Sequence, residues 1–405
     1  MSQTKQLTYW WRDAIIYQVW PASFQDSNND GLGDLPGLIS RLDHIQSLGI
    51  NTIWLSPHYK SPRIDEGYDV SDYTAIHEPF GTMQDMDQLI QQTKQRGIRL
   101  ILDLVINHCS EQHKWFQESR SSKDNPKRDW FIWRPAKHDS TGKRLPPNNW
   151  RNNFNGSAWT WDEKTQEYYL HLFCPEQPDF NWTNEETRQA IYQDAMIFWL
   201  DKGIDGFRVD TVNMYSKPMD FPDAPITDPT NEYQPAHALY CNGPGMHKYL
   251  REMGAILSRY DAMTVGELPC TPDVQQVLSY VRASDPMLSM VFDFDVVDVD
   301  SGEGQRFYLK EWQLPLLKTA VMKAQKFIHN TDAWTTTFCE NHDQPRSISR
   351  YCPEAVTEED RIRAGKLLAL WQCSLTGTQF IYQGQEIGMT NCEGQKLGQG
   401  LEEVA

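Results

Sequence analysis

Short runs of Val, Ile, Leu and aromatic residues recur along the chain. Each is followed by a polar loop and then by a stretch whose apolar positions have helical spacing. The runs lie at 14–20 (AIIYQVW), 51–56 (NTIWLS), 99–107 (RLILDLVIN), 206–210 (GFRVD), 263–268 (MTVGEL), 290–296 (MVFDFDV), 335–343 (TTTFCENHD) and 378–384 (TQFIYQG). They are close to continuously apolar rather than alternating, as strands covered on both faces are. Helical stretches fall at 38–48, 83–96, 185–202, 246–258, 272–281, 316–330 and 358–375. Eight β-then-α units predict an α/β fold, a closed parallel (β/α)8 TIM barrel.

One segment breaks this rhythm. Between 109 and 178 the chain is rich in Trp, Pro, Asn and charge, with little periodicity. A structureless loop of that length is rare inside a compact domain, so a small inserted domain after the third strand is expected. The resulting division is a barrel from 1–108 and 179–391, an insert at 109–178 and a tail at 392–405.

Composition narrows the partners. A formal charge of −17 disfavours nucleic acid and anionic membrane, which reward clustered Lys and Arg. No apolar stretch reaches the roughly 20 residues of a spanning helix. The first residues lack the charge and apolar pattern of a signal peptide. The eight cysteines are scattered singly without a C-x-x-C, and Cys339 and Cys373 lie in apolar runs. Free thiols in a reducing compartment, hence a cytoplasmic location, are expected.

Catalytic groups of such barrels sit at the C-terminal ends of the strands. Those ends carry His108, then Arg208 and Asp210, then Glu267, then His342 and Asp343. Any one of these acids taken alone reads better as a helix cap or a loop ion pair. Three carboxylates converging with two histidines and an arginine do not, because buried acids are unfavourable unless they have work to do. Without a reactive thiol, a serine motif or a phosphate loop, paired carboxylates point to glycoside chemistry, one attacking the anomeric carbon and one protonating the leaving oxygen.

The motifs DLVINH, GFRVD, VGE and ENHD, in this order and spacing, resemble those of the alpha-amylase superfamily, glycoside hydrolase family thirteen. QPDFNW at 177–182 resembles the mark of its maltase and oligo-1,6-glucosidase branch, and GYDVSDY, NGSAW and GQEIGM also fit. The likeness implies that Asp210 is the nucleophile, Glu267 the acid and base, and Asp343 the holder of the 2- and 3-hydroxyls of the sugar. It further implies that Arg208 keeps Asp210 ionised. His108 and His342 would bond sugar hydroxyls, Tyr68 would stack under the sugar and Asp65 would close that end. Phe173, Gln177 and, less directly, Phe154 would line the pocket from the insert. In this branch the residue after the nucleophile is a specificity handle: valine goes with α-1,6 and threonine with α-1,4 cleavage. Here it is Thr211. The resemblance therefore implies a retaining exo-acting alpha-glucosidase for maltose, short malto-oligosaccharides and sucrose-like glucosides. The alternatives are an α-1,6-specific isomaltase, or an inactive carbohydrate-binding or partner protein on the same scaffold.

Two features qualify the likeness. It fades near Asn391, before the eighth helix, the C-terminal β-domain and a late arginine that family members carry. The chain is thus expected to be C-terminally truncated, of uncertain activity, with the outer sides of the eighth and first strands uncovered. The other feature is DSNNDGLGDL at 26–35, which has calcium-loop spacing. An EF-hand fails, because loop position twelve is Gly37 and no helix precedes the loop. The branch carries a structural Ca2+ or Mg2+ on this loop, which implies ligation by the side chains of Asp26, Asn28, Asp30 and Asp34 and the carbonyl of Leu32.

Overall fold

The runs read as strands form one parallel sheet in the computed structural model, which describes residues 9–302 and 305–392. The tail assigned to 392–405 lies, Cys392 apart, outside the described residues. The eight strands are β1 (Ile15–Val19), β2 (Thr52–Leu55), β3 (Arg99–Leu104), β4 (Gly206–Val209), β5 (Met263–Glu267), β6 (Met290–Phe292), β7 (Thr336–Thr337) and β8 (Thr378–Tyr382). Hydrogen bonding runs β6-β5-β4-β3-β2-β1-β8-β7, so the first strand pairs with the last and the sheet curls into a barrel. Between β6 and β7 there is no ladder among the described residues. Across that seam the Thr336 hydroxyl donates to the Val291 carbonyl at 3.2 Å.

The third strand is shorter than its apolar run. It stops at Leu104 because side-chain donors then take the carbonyls a ladder would use. Tyr73 Oη donates to Val105 O at 2.8 Å and to His108 O at 3.1 Å, and Trp182 Nε1 to Ile106 O at 2.9 Å. β4 starts at a glycine for a steric reason. Gly206 has φ +144°, and a Cβ there would lie 2.0 Å from the Met263 carbonyl oxygen of β5.

Strand parity divides the core. Ile16, Trp54, Ile101, Val265, Met290, Phe292 and Phe380 fill the barrel interior. Tyr17, Val19, Ile53, Leu55, Leu100, Leu102, Leu104, Phe207 and Val209 face outward into the layer shared with the helices. The helix Met83–Gln95 begins with a capping box. Thr82 Oγ1 accepts from Asp85 N at 3.2 Å, and Asp85 Oδ2 accepts from Thr82 N at 2.8 Å. Its buried Met86, Leu89, Ile90 and Thr93 repeat at helical spacing. The helix expected at 38–48 is two short ones, Leu35–Ser40 and Leu42–Ser47, broken at Arg41. That expected at 185–202 runs as Glu185–Ile191, a π-helical stretch Tyr192–Ile197, and Phe198–Lys202.

Within 109–178, strands Trp133–Arg134, Trp159–Asp162 and Glu167–Leu170 make an antiparallel sheet. Its hydrophobic cluster of Trp150, Trp159, Leu170 and Leu172 is completed by Met214, Phe221 and Tyr240, from the connection that follows β4. All eight cysteines are free; Cys109, Cys241 and Cys339 are buried, whereas Cys373 is exposed despite its apolar neighbours.

The expectation of uncovered first and eighth strands holds for one of them. Tyr17 and Val19 of β1 are fully buried, because Leu35, Leu38 and Phe24 pack beneath them. Gln379 and Ile381, the outward residues of β8, are only half-buried. Beside them the helix Glu358–Cys373 buries Ala364, Leu368 and Gln372 but leaves Leu367 62% and Leu370 70% exposed.

Candidate active site

The inward parity that fills the barrel with apolar side chains continues upward into polar ones. Gln18, Trp54, Asp103, Arg208 and Glu267 each stand on the interior side of their strand, and Asp210 follows Arg208 by two residues. Asp103, Asp210 and Glu267 meet at a single guanidinium, that of Arg208. Arg208 Nη1 lies 2.9 Å from Asp103 Oδ1 and 2.5 Å from Asp210 Oδ1, and Nη2 lies 3.0 Å from Glu267 Oε2. Arg208, Asp103 and Asp210 are all buried. Asp103 also accepts from Trp54 Nε1 at 3.0 Å.

Three acids around one cation leave an excess of negative charge. Burial pushes the Asp210 carboxyl well above the usual range; Arg208 pulls it down, and Glu267 and Asp103 push it up again. Asp103 is raised by burial as well, against the pull of Arg208. Arg208 is thus the main force favouring ionised Asp210, and burial opposes it.

The residue after Asp210 is strained. Thr211 has φ +38°, a region that β-branched side chains avoid. The turn aims its N–H at Glu267 Oε2, 3.2 Å away, while its hydroxyl lies 3.3 Å from Asp210 Oδ2. Tyr215 Oη donates to the Asp210 carbonyl at 3.2 Å.

His342 forms the opposite wall. Its Nδ1 lies 2.8 Å from Gln18 Nε2, and its Nε2 lies 2.7 Å from Tyr68 Oη and 3.4 Å from Asp343 Oδ2. Its ring clusters with those of Trp20 and Tyr68, with centroids 5.3 and 5.6 Å away, and those two rings are 6.5 Å from each other. Burial lowers its pKa, which favours the neutral ring. Behind Tyr68, Gln177 Nε2 donates to Asp65 Oδ2 at 2.8 Å and touches His108 Nε2 at 3.1 Å. Burial raises the Asp65 carboxyl. Phe173 packs 5.0 Å from the His108 ring; Phe154 sits beyond it at 6.2 Å, 56% exposed at the rim. Asp65, Tyr68, His108, Phe173, Gln177, Arg208, Asp210, Thr211, Glu267, His342 and Asp343 are therefore linked by contacts into one cluster, reached from the barrel and from 109–178.

Several members escaped the reading of strand ends. Asp103 and Gln18 lie one layer deeper, and inward parity counted back from the ends is the signal that finds them. Lys217 and Asp179, an ion pair of 2.6 Å behind His108, lie outside any strand and left no periodic trace.

The acidic loop stands apart from this cluster. Gly31 turns at φ +92°. Asp26 accepts from the amides of Asn28, Asn29 and Gly31 at 2.7–2.9 Å, and Asp30 from Leu32 N at 2.8 Å. Asp34 Oδ2 accepts from Ser27, and its Oδ1 from Gly37 N, capping the helix Leu35–Ser40. The donors are all oxygens, as a hard cation requires. Among the described residues, however, no three acidic, His or Cys side chains gather closely enough to hold a metal. A cation here would need the Asn28 and Leu32 oxygens too, and the aspartates turned inward.

Comparison with known proteins bears on this geometry. A family model described as alpha amylase, catalytic domain, matches residues 18–403. An alpha-glucosidase of Candida albicans is 55% identical over 382 residues, 94% of this chain and 66% of that protein. An oligo-1,6-glucosidase of Saccharomyces cerevisiae is 48% identical over 388 residues, 94% of this chain and 65% of that protein. The crystal structure of isomaltulose synthase from Erwinia rhapontici NX5 superposes with a TM-score of 0.90 at 42% identity, covering 96% of this chain and 68% of that one. The chain spans just under two thirds of the length of these curated relatives.

Proposed function

The chain belongs to the alpha-amylase catalytic-domain family, and from that premise we propose that it is a retaining alpha-glucosidase acting on terminal α-1,4-linked glucose. The observation that carries the reading is Arg208, whose guanidinium holds Asp210 and Glu267 side by side at 2.5 and 3.0 Å. Carboxylates drawn onto one guanidinium suit the close spacing of a retaining pair. Asp210 attacks the anomeric carbon. Glu267 gives its proton to the leaving oxygen and then takes one from the attacking water. Asp343 and His342 hold hydroxyls at one wall. Asp65, Gln177, His108 and Tyr68 close the far end, which favours release of one glucose at a time.

Purified protein supplied with maltose should release α-glucose first, read by proton NMR. Asp210→Asn should lower the rate by at least about 10⁴-fold. Initial β-glucose would overturn the retaining assignment, and turnover surviving in Asp210→Asn would overturn the nucleophile. Thr211 supports α-1,4 over α-1,6 preference, and maltose, isomaltose, sucrose and trehalose compared at equal concentration decide it. The named relatives include both an alpha-glucosidase and an oligo-1,6-glucosidase, so an isomaltase is the second reading. The free cysteines support a reducing, cytoplasmic setting.

A structural calcium or magnesium ion on Asp26, Asn28, Asp30, Asp34 and the Leu32 carbonyl is the remaining part of the proposal, supported by the all-oxygen donor set. It would brace the loop after β1 and take no part in bond cleavage. Bound metal should be found by elemental analysis, and chelation should lower the Tm. A metal-free protein with an unchanged Tm would remove the ion from the proposal.

A further inference from the structure

We infer that Lys217 sets the tautomer of His108 by fixing the side-chain amide of Asn107, and is thereby a positioning residue for the pocket. Lys217 follows β4 and reaches residues that flank the 109–178 segment on either side. Its Nζ lies 2.6 Å from Asp179 Oδ2 and 2.7 Å from Asn107 Oδ1. Lys217, Asp179, Asn107 and His108 are all buried. Asn107 Nδ2 lies 3.2 Å from Asp179 Oδ2 and 3.2 Å from His108 Nδ1.

The chemistry of these groups leaves one arrangement. An ammonium only donates and a carboxylate only accepts. Turning the Asn107 amide over would set its NH2 against the ammonium and its oxygen against the carboxylate. The oxygen therefore faces Lys217, and the two amide hydrogens go to Asp179 and to His108 Nδ1. That nitrogen is bare, so the neutral ring carries its hydrogen on Nε2. There the Tyr68 carbonyl waits 3.2 Å away as acceptor. The other tautomer would put N–H against NH2 at one nitrogen and a lone pair against a carbonyl at the other. Burial, with Lys217 pushing the same way, holds the ring neutral by bringing its pKa down to about 4.

A consequence reaches the pocket. Gln177 Oε1 accepts from Cys174 N at 2.9 Å, which makes Gln177 Nε2 a donor. It lies 3.1 Å from His108 Nε2, now also a donor. With the ring hydrogen given to the Tyr68 carbonyl and one Gln177 amide hydrogen to Asp65, the other amide hydrogen of Gln177 meets no lone pair at His108 Nε2 and is left for an incoming acceptor, and a sugar hydroxyl oxygen is such an acceptor. This last step rests on the proposed function; the tautomer does not.

The test uses the whole chain labelled with ¹⁵N-histidine. Long-range ¹H–¹⁵N correlations report which ring nitrogen is protonated, and loss of signals in His108→Gln assigns them. Lys217→Met alone leaves a buried unpaired charge, so the double variant Lys217→Met/Asp179→Asn carries the experiment. The amide introduced in place of the Asp179 carboxylate keeps an oxygen to accept from Leu172 N, as Oδ1 does at 3.0 Å in the parent. It presents its NH2 to Asn107, which turns the Asn107 amide over. The expected result is Nε2–H in the parent and Nδ1–H in the double variant. It should come with a KM for maltose raised about tenfold, the weight of one hydrogen bond, and kcat changed far less. An unchanged Nε2–H tautomer in the double variant overturns the proposal, whatever the kinetics. A switched tautomer in a protein that hydrolyses no α-glucoside upholds it and overturns the functional reading instead.

Discussion

Thr211 shows how much one residue carries. Its left-handed backbone is strained for a β-branched side chain, yet that turn brings its N–H to Glu267 and its hydroxyl to Asp210. Thr211→Val removes the hydroxyl and keeps the shape. It should shift the maltose-to-isomaltose ratio of kcat/KM toward isomaltose by about tenfold; an unchanged ratio would deny Thr211 a part in linkage choice. His58 is a different case. It is fully buried, neither ring nitrogen makes a well-formed hydrogen bond, and burial brings its pKa down to about 3. The folded protein keeps this ring neutral, whereas the unfolded chain protonates it below about pH 6.5. Its contribution to stability is therefore complete above that pH and is lost as pH falls toward 3. His58→Leu abolishes the linkage, so urea midpoints should favour the variant increasingly between pH 6.5 and 4, by on the order of 1 kcal/mol per pH unit. A constant difference between the two proteins would refute it. The strand-end residues were legible from the chain because they sit beside apolar runs. Asp103 was not, because it lies inside such a run and only strand parity reveals that it points inward. Lys217 was not, because nothing local to it predicts Asp179.

At the scale of elements, the strands were readable in number and order because each is a compact apolar run. Their ends were not, because side chains far away in sequence, such as Tyr73 and Trp182, take the carbonyls after Leu104. The same kind of contact ties β7 to β8. Glu340, buried just past β7, accepts from Arg346 Nη1 at 2.9 Å and from Ser347 N at 2.5 Å, capping the helix Ser347–Tyr351. Arg346 Nη1 also donates to the Gln383 carbonyl beyond β8 at 2.6 Å. Glu340→Ala strips the ion pair and the cap together and leaves Arg346 without its carboxylate, so it should destabilise the fold by about 3 kcal/mol in denaturant titration. A loss below about 1 kcal/mol would mean that water replaces the carboxylate.

For the whole molecule, the barrel was legible because eight units repeat a single pattern, while the sharing of the 109–178 cluster with Met214, Phe221 and Tyr240 is a tertiary event with no local signature. The apolar side of Glu358–Cys373 belongs to this scale too. Leu367 and Leu370 stand in solvent, and exposed apolar side chains of this kind favour self-association. Leu367→Gln with Leu370→Gln should reduce dye binding and light scattering while stability changes by no more than about 0.5 kcal/mol; a collapse in Tm would show that these side chains are packed after all. The seam between β6 and β7 has the longest reach. Among the described residues, seven strand pairs are held by backbone ladders and the eighth by the Thr336 hydroxyl. The ring is therefore a curled sheet with two free edges and a clasp. In deuterated water its amides should not exchange evenly. Those of Met290–Phe292 and Thr336–Thr337 should exchange through local opening while β1 to β4 remain protected, so the barrel has a built-in place to begin coming apart.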